Sequence, residues 1–149
     1  MVFDPWAKDK IVWKHFPNFL LGGQPLQFVT EFRYLGHIIS NTLADDSDIC
    51  REIRNMYTCT RTNMLICRFN KCSTVVKIRL FRSYSICVYG AGLWSSYSKG
   101  SMRKLKICYH RCIKMFFGYS KMHSVPAILF DLALIPLCII IDILTVSSG

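Results

Sequence analysis

Apolar positions change their rhythm twice along this chain. Up to residue 39 they come in short β-rich runs: Ile11-Val12-Trp13, Phe19-Leu20-Leu21 and Leu26-Gln27-Phe28-Val29. Gly22-Gly23-Gln24-Pro25 reads as a turn between the second and third runs. Phe32-Arg33-Tyr34-Leu35-Gly36-His37-Ile38-Ile39 reads as a strand, in which Gly36 suggests a bend or a close backbone approach. From Asp45 the period becomes helical. Ile49, Ile53, Met56, Thr60, Met64 and Cys67 recur every three or four residues and mark one helix face. Asp45, Asp46 and Asp48 sit at its start, where they complement the helix dipole and can cap free N–H groups.

A second helix is expected after Ser73, with Val76, Leu80, Tyr84, Cys87 and Val88 inward, loosening at Gly90-Ala91-Gly92. A third begins near Ser101 and carries the stripe Met102, Leu105, Tyr109, Cys112, Ile113 and Phe116, with Gly118 as its stop. Ser124 to Asp131 predicts a short helix that tolerates Pro126 in its first turn. Beyond Pro136, Leu137 to Leu144 is almost continuously apolar and reads as a buried strand or a sticky tail. Residues 127–146 are long enough to span a membrane, but Asp131, Pro136 and Asp142 interrupt them. An Asp near mid-span costs roughly 2.5–3.5 kcal/mol on insertion scales, so a span is not expected.

Composition then narrows the class. The chain has 149 residues, 52% hydrophobic and 19% charged, which fits one modest domain with its own core and argues against wholesale disorder. The net charge of +10 is unevenly placed. Residues 50–121 carry fifteen basic residues against one acid, Glu52, while both flanks are slightly acidic. An ordinary surface mixes signs, and so one-sided a block fits a polyanion. Nucleic acid is the expected partner, with an anionic membrane surface as the competitor. The opening MVFDPWAKDK lacks a basic start followed by an apolar run, so an intracellular location, nuclear or cytoplasmic, is expected.

Eight cysteines are read as reduced, because several fall on apolar helix faces. Cys108 and Cys112 flank His110 without zinc-site spacing, and a packing role is expected. His15, His37, His110 and His123 form no catalytic set. Trp6, Trp13 and Trp94 are read as core or interface, and Gly22-Gly23 is too short for a phosphate loop.

Seven stretches in order carry a family likeness. Phe32-Arg33-Tyr34-Leu35-Gly36-His37-Ile38-Ile39 resembles the F-x-Y-L-G-x-x-I element of non-LTR (LINE-type) retrotransposon reverse transcriptases. Gly22 to Leu26 resembles the turn before that element, and Met1-Val2-Phe3 the end of the strand that precedes it. Asp48 to Arg54 resembles the acidic start of the helix that follows. Leu80-Phe81-Arg82-Ser83-Tyr84 and Tyr89-Gly90-Ala91-Gly92-Leu93-Trp94 resemble its L-F-x-S-Y and Y-G-x-x-x-W stretch, and Arg111-Cys112-Ile113-Lys114 its R-x-x-(K/R) helix. The likeness runs to about residue 134 and is best over 31–118. A lone Y-L-G is weak, and the ordered set is much stronger. The tail from Pro136 departs from the family.

The resemblance implies an α+β fold: a short N-terminal β-hairpin region followed by a three- to four-helix thumb-like bundle. It divides the chain into a palm-end, primer-grip-like region (1–44), a basic thumb-like region (45–121) and an apolar tail (122–149). It also implies a missing active site. The family's catalytic aspartates, which hold paired Mg²⁺ ions, belong to elements upstream of the position where this likeness starts. Leu43-Ala44-Asp45-Asp46 imitates the aromatic-Ala-Asp-Asp hairpin, but it follows Y-L-G and runs at once into a helical period. Asp45 and Asp46 are therefore read as helix capping. Only Asp4 and Asp9 precede them, and neither lies in an apolar strand.

The expectation is a reverse-transcriptase fragment that is not an enzyme on its own. It needs no cofactor, since Mg²⁺ belongs to the full-length enzyme. Its partners would be RNA, DNA or an RNA–DNA hybrid, and the missing palm and fingers of the parent polymerase. Tyr34, Leu35 and Gly36 are read as a backbone hairpin positioning a primer end, or as a sheet-edge element packing on its own helices. Phosphate contacts are expected from Arg51, Arg54, Arg61, Arg68, Arg103, Lys104, Lys106, Arg111 and Lys114. Tyr57, Tyr84, Tyr97 and Tyr109 interleave with the basic residues, with Tyr84 and Tyr109 read as core. A non-functional relic of a truncated element and a basic membrane-surface protein are the alternatives.

Overall fold

The computed structural model describes residues 17, 19–69, 71–86, 88 and 90–146. The run Ile11-Val12-Trp13, the strand end Met1-Val2-Phe3, Asp4, Trp6, Asp9, His15, Cys87 and Tyr89 lie outside the described residues. Two antiparallel hairpins precede five α-helices, so the chain has the expected α+β fold.

The first hairpin pairs β1 (Leu20–Leu21) with β2 (Gln24–Pro25). Gly22 and Gly23 form its turn at φ 59° and 82°, and paired positive φ values suit the twist of a two-residue hairpin. Leu26 to Val29, expected as a strand, follows without strand pairing.

The second hairpin corrects the expectation of one strand over Phe32–Ile39. Here β3 (Glu31–Tyr34) and β4 (His37–Ser40) pair antiparallel, with Tyr34 opposite His37. Leu35 and Gly36 make the turn at φ 47° and 86°. The bend expected at Gly36 is a full reversal, because two successive residues take the left-handed conformation.

The long helix α1 spans Asp46–Phe69. Ile49, Met56, Thr60 and Cys67 are buried as the period implies, with Ile53 and Met64 packed beside them. After Ser73, α2 (Thr74–Leu80) continues as a π-helical turn over Phe81–Ser85. The inward set differs from the expected one. Val76 and Tyr84 are exposed and Phe81 and Ser85 are buried instead, while Leu80 and Val88 lie inward as expected. The wider π turn shifts the phase of the stripe. Phe81 becomes the aromatic hub, its ring 5.3 Å from Phe116, 5.6 Å from Phe117 and 6.3 Å from Tyr109.

A 3₁₀ turn at Ala91–Leu93 leads to α3 (Lys99–Phe117). Ser98 caps α3 by accepting from the Ser101 amide, and Gly118 ends it in the left-handed conformation at φ 78°. Leu105, Tyr109, Cys112, Ile113 and Phe116 are buried as expected. Helices α1 and α3 run parallel: Asp46 meets Ser98, the Ile53 carbonyl meets Cys108, and Met56 meets Cys108.

The tail is the second correction. Residues 137–144 form neither a strand nor a loose end but most of α5 (Leu137–Val146). Leu137 and Ile141 are buried in the common core, and the Tyr109 hydroxyl donates to the Ile135 carbonyl at 2.7 Å. The expected short helix is α4 (Val125–Asp131), tied to the rest where Arg82 donates to the Ala133 carbonyl. Among the described residues no helix is long and apolar enough to cross a membrane.

Candidate nucleic-acid interface

Hairpin β3–β4 is fixed to the helices by one buried carboxylate. Asp48 lies in the first turn of α1 and is 2% exposed. Its Oδ1 accepts from the Ile38 amide at 2.9 Å and from Arg51 Nε at 2.7 Å. Its Oδ2 accepts from Trp94 Nε1 at 2.9 Å and faces His37 Nδ1 at 3.0 Å. Burial pushes this carboxyl up, but the donors from Arg51, Trp94, His37 and Ile38 outweigh it and hold it well below the usual carboxylate range. Gly90 completes the joint. A Cβ there would come 1.9 Å from His37 Cε1, so only glycine lets that edge of the ring approach the 3₁₀ turn.

The other acids at the helix start hold the loop before α3. The Asp45 carboxylate accepts from the Ser95 and Ser96 amides, and that of Asp46 from the Ser98 amide and hydroxyl. Both sit at a helix N-terminus as expected, and their partners lie on the neighbouring loop. An acidic pair engaged in this way on a helix does not fit a two-metal centre. Among the described residues no group of three or more His, Cys, Asp or Glu side chains is arranged to hold a metal ion.

The Asp48 network also decides what Arg51 does. Its Nη2 lies 2.9 Å from Glu52 Oε2, and its side chain is only 12% exposed. Arg51 thus neutralises two carboxylates inside the protein, a role the sequence reading of a phosphate contact missed. The i,i+3 spacing from Asp48 was the available signal. Glu52, buried beside it, is pushed up by desolvation against the pull of Arg51.

Arg54 is exposed and stands at the junction of two depressions. The first is a cleft of ≈ 650 Å³ between hairpin β3–β4 and α1, where Arg33, Gly36 and Arg54 share one wall system. The second is the open groove between α1 and α3, lined by Arg54, Tyr57, Lys104, Ile107 and Arg111. Tyr57, Ile107 and Arg111 in turn line a third, deeper pocket of ≈ 730 Å³ with Lys114, Tyr119 and Lys121. The parallel packing of α1 and α3 therefore brings Arg54, Lys104, Arg111, Lys114 and Lys121 into one basic track, and the cleft under the hairpin adds Arg33, beside Glu31, at its Arg54 end.

The remaining expected contacts lie off that track or at its edge. Arg61 and Arg68 are exposed and follow Arg54 at seven-residue intervals along α1. Lys106 lines a different, apolar groove against α4 and α5, and Arg103 lies one turn before it on α3. Lys114 Nζ donates to the Lys121 carbonyl at 2.7 Å and folds the turn after Gly118 back onto α3. Tyr34, Leu35 and Gly36 are all exposed at the hairpin tip. Of the tyrosines, Tyr109 is core and Tyr97 is exposed, and Tyr84, expected in the core, is 61% exposed. The sequence reading did not single out Arg33, Lys121 or Tyr119.

His110 reports the field along the track. Its pKa is lowered, by burial first and then by Lys106 and Lys114, so at neutral pH it offers an uncharged imidazole. Burial pushes the Tyr57 hydroxyl up, and the neighbouring Arg111 opposes this. None of the seven described cysteines forms a disulfide. Cys108 and Cys112 touch at 3.9 Å inside the core, where the hydrogen bond to Cys112 and burial push the Cys108 thiol far up. The Cys108 thiol stays protonated, while its hydrogen bond draws the Cys112 thiol down, and both pack in the core as small hydrophobes.

Compared with protein-family models, with curated proteins and with solved structures, the chain matches none.

Proposed function

We propose that this chain is a piece of a non-LTR reverse transcriptase that binds the backbone of an RNA–DNA template–primer and lacks the catalytic aspartates. On its own it is not an enzyme. The observation that carries the reading is the run of basic side chains lining adjoining depressions, from Arg33 in the cleft under hairpin β3–β4, where Glu31 also stands, through Arg54 and into the groove between α1 and α3. Gly36 of the primer-grip-like turn and four of the expected phosphate contacts, Arg54, Lys104, Arg111 and Lys114, lie along it, while Tyr34 and Leu35 line a separate pocket with Asp45, Asp48 and Trp94. Arginine and lysine at such positions neutralise phosphates without reading bases. The order of family-like motifs in the sequence supports the same reading.

The partner implied for the exposed apolar residues of the hairpins is the palm and fingers of the parent polymerase. Leu20, Leu21, Phe32 and Leu35 are more than half exposed, an apolar surface that a covering domain would bury. The same exposure favours a second reading, an aggregation-prone relic with no retained binding. A soluble monomer on a sizing column counts against that reading.

Binding of the folded chain to an RNA–DNA hybrid across a salt series tests the proposal. With about six phosphate contacts, the slope of log K against log salt is close to −5 on the scale of B-form DNA. Arg54→Ala with Lys104→Ala should weaken binding without unfolding the chain. A folded, soluble chain that ignores the hybrid defeats the proposal. Preference for anionic vesicles over the hybrid would instead favour the membrane-surface alternative.

A further inference from the structure

The pocket at the far end of the track differs in chemistry from the rest of it. The groove between α1 and α3 is shallow and flanked by long basic side chains, a shape for a phosphate backbone. The pocket beyond is deeper and mixed. It measures ≈ 730 Å³, within the range that encloses a small organic ligand. Tyr57 from α1 and Tyr119 from the turn after α3 contribute two aromatic walls, and Ile107 and Met115 an apolar floor. Arg111, Lys114 and Lys121 add basic side chains to the lining.

This combination is unsuited to a paired base, whose faces are covered by its neighbours in the stack. It suits one base whose face is free. Aromatic rings stack on any base, and adjacent cations hold the phosphate, the combination by which single strands are held without sequence preference. The uncharged His110 in the same wall can donate to or accept from a base edge. Two local contacts preform the walls. Lys114 Nζ reaches the Lys121 carbonyl, and the Tyr119 amide donates to the Lys114 carbonyl at 2.9 Å. The Tyr119 ring is steadied edge-on by His123, at 5.4 Å between centroids.

We propose that the pocket bounded by Tyr57, Arg111, Lys114, Tyr119 and Lys121 holds one unpaired nucleotide, the first base of a single strand that continues beyond the duplex on the basic track. This rests on the nucleic-acid reading above and adds a position to it. Duplex backbone occupies the groove at Arg54 and Lys104, and the strand opens at Tyr57 and Tyr119.

Fluorescence anisotropy of the full chain with three labelled RNA–DNA hybrids tests this. One hybrid is blunt, one carries a five-nucleotide single-stranded overhang, and one has the same overhang with its first nucleotides abasic. A matching free single strand is the fourth probe. Stacking is worth about 1 kcal/mol or more per base, so the overhang should tighten binding about fivefold or more over the blunt hybrid. The abasic overhang should lose that gain. Tyr119→Leu keeps the apolar packing but removes the ring, and should abolish the gain while leaving blunt-hybrid affinity unchanged. Lys121→Ala should reduce it in part.

Equal affinity for blunt and overhanging hybrids overturns the pocket assignment while leaving the backbone-binding reading intact. Binding of the free single strand, sensitive to Tyr119→Leu, with no affinity for the blunt hybrid, supports the pocket and overturns the template–primer reading. A folded chain that binds none of the four probes overturns both.

Discussion

The helices and the hairpins of this chain are held by different means. In the helical part, burial is continuous: Phe81, Leu105, Tyr109, Ile113, Ile128 and Leu137 are each at most 2% exposed and share one core. In the hairpins, apolar residues are just as frequent, yet Leu20, Leu21, Phe32 and Leu35 are half exposed or more. What fixes hairpin β3–β4 is a polar joint, the Asp48 carboxylate with its donors from both sides. Apolar area stabilises the first region, and a few directed hydrogen bonds position the second. A hairpin held in this way can keep one face open for a partner, which a hairpin sunk in the core cannot.

Paired truncations put the largest strain on that contrast. Phe81→Ala removes a fully buried ring from the aromatic hub and should cost about 3–5 kcal/mol. Phe32→Ala, at 52% exposure, should cost under about 1 kcal/mol. Urea denaturation of both proteins decides it. Comparable losses would mean that the hairpin is part of the core after all.

The polar joint has its own signature. Asp48→Asn leaves Arg51 without its nearest carboxylate and should destabilise the chain by about 3 kcal/mol at neutral pH. The sign of the pH dependence follows from the depressed carboxyl. A group with a lowered folded pKa stabilises fully above its unfolded value, near 3.8, and that contribution fades as pH falls through the folded value. The carboxyl's share of the gap between wild type and variant should therefore shrink as pH falls below about 4. Glu52 works with the opposite sign, because its pKa is raised: its ionisation opposes folding as pH rises above its ordinary range. A gap that widens in acid would refute the assignment to Asp48.

Gly90 tests the joint from the other side, with a smaller effect. Alanine there must displace His37, at a cost of about 1–3 kcal/mol, typical of overpacking. In a His37→Ala background the added methyl meets no ring, so the double-mutant cycle should show a coupling of about 1 kcal/mol or more. Additive losses would show that the His37 ring is not what Gly90 accommodates.

Much of the helical region was legible because its signals are local. The stripe of α3 repeats every three or four residues between a serine cap and a glycine stop, and it was read nearly residue by residue. The misreadings have physical causes. Alternation through Phe32–Ile39 continues across the turn, and Leu35 at φ 47° carries no turn signal, since leucine seldom adopts that conformation. The apolar run Leu137–Leu144 fits a buried strand and a buried helix equally well by pattern alone. The π turn at Phe81–Ser85 rotates the inward face from Tyr84 to Phe81 and Ser85, and nothing in the spacing announces it. For the candidate interface, the charge block between residues 50 and 121 was plain. Which cations share a groove was not, because that depends on α1 and α3 lying parallel across a long connection. Arg51 and Arg54 are one turn apart on the same helix, and only the i,i+3 spacing from Asp48 hinted that Arg51 turns inward.

That last pair gives the smallest effect and the sharpest division of labour. Arg51 lies within the joint and Arg54 on the open track, one turn apart on the same helix. Arg54→Ala removes an exposed side chain and should change stability by no more than about 0.5 kcal/mol. If Arg54 meets a phosphate, the same change should weaken binding to every hybrid sequence alike and make the salt slope shallower by about one. Arg51→Ala should do the reverse, lowering denaturant resistance by unpairing Asp48 and Glu52. Its salt slope, measured where the chain is still folded, should be unchanged. A steepness lost through Arg51 and kept through Arg54 would move the backbone contact off the track and onto the hairpin joint, and the groove between α1 and α3 would then be an ordinary solvated surface.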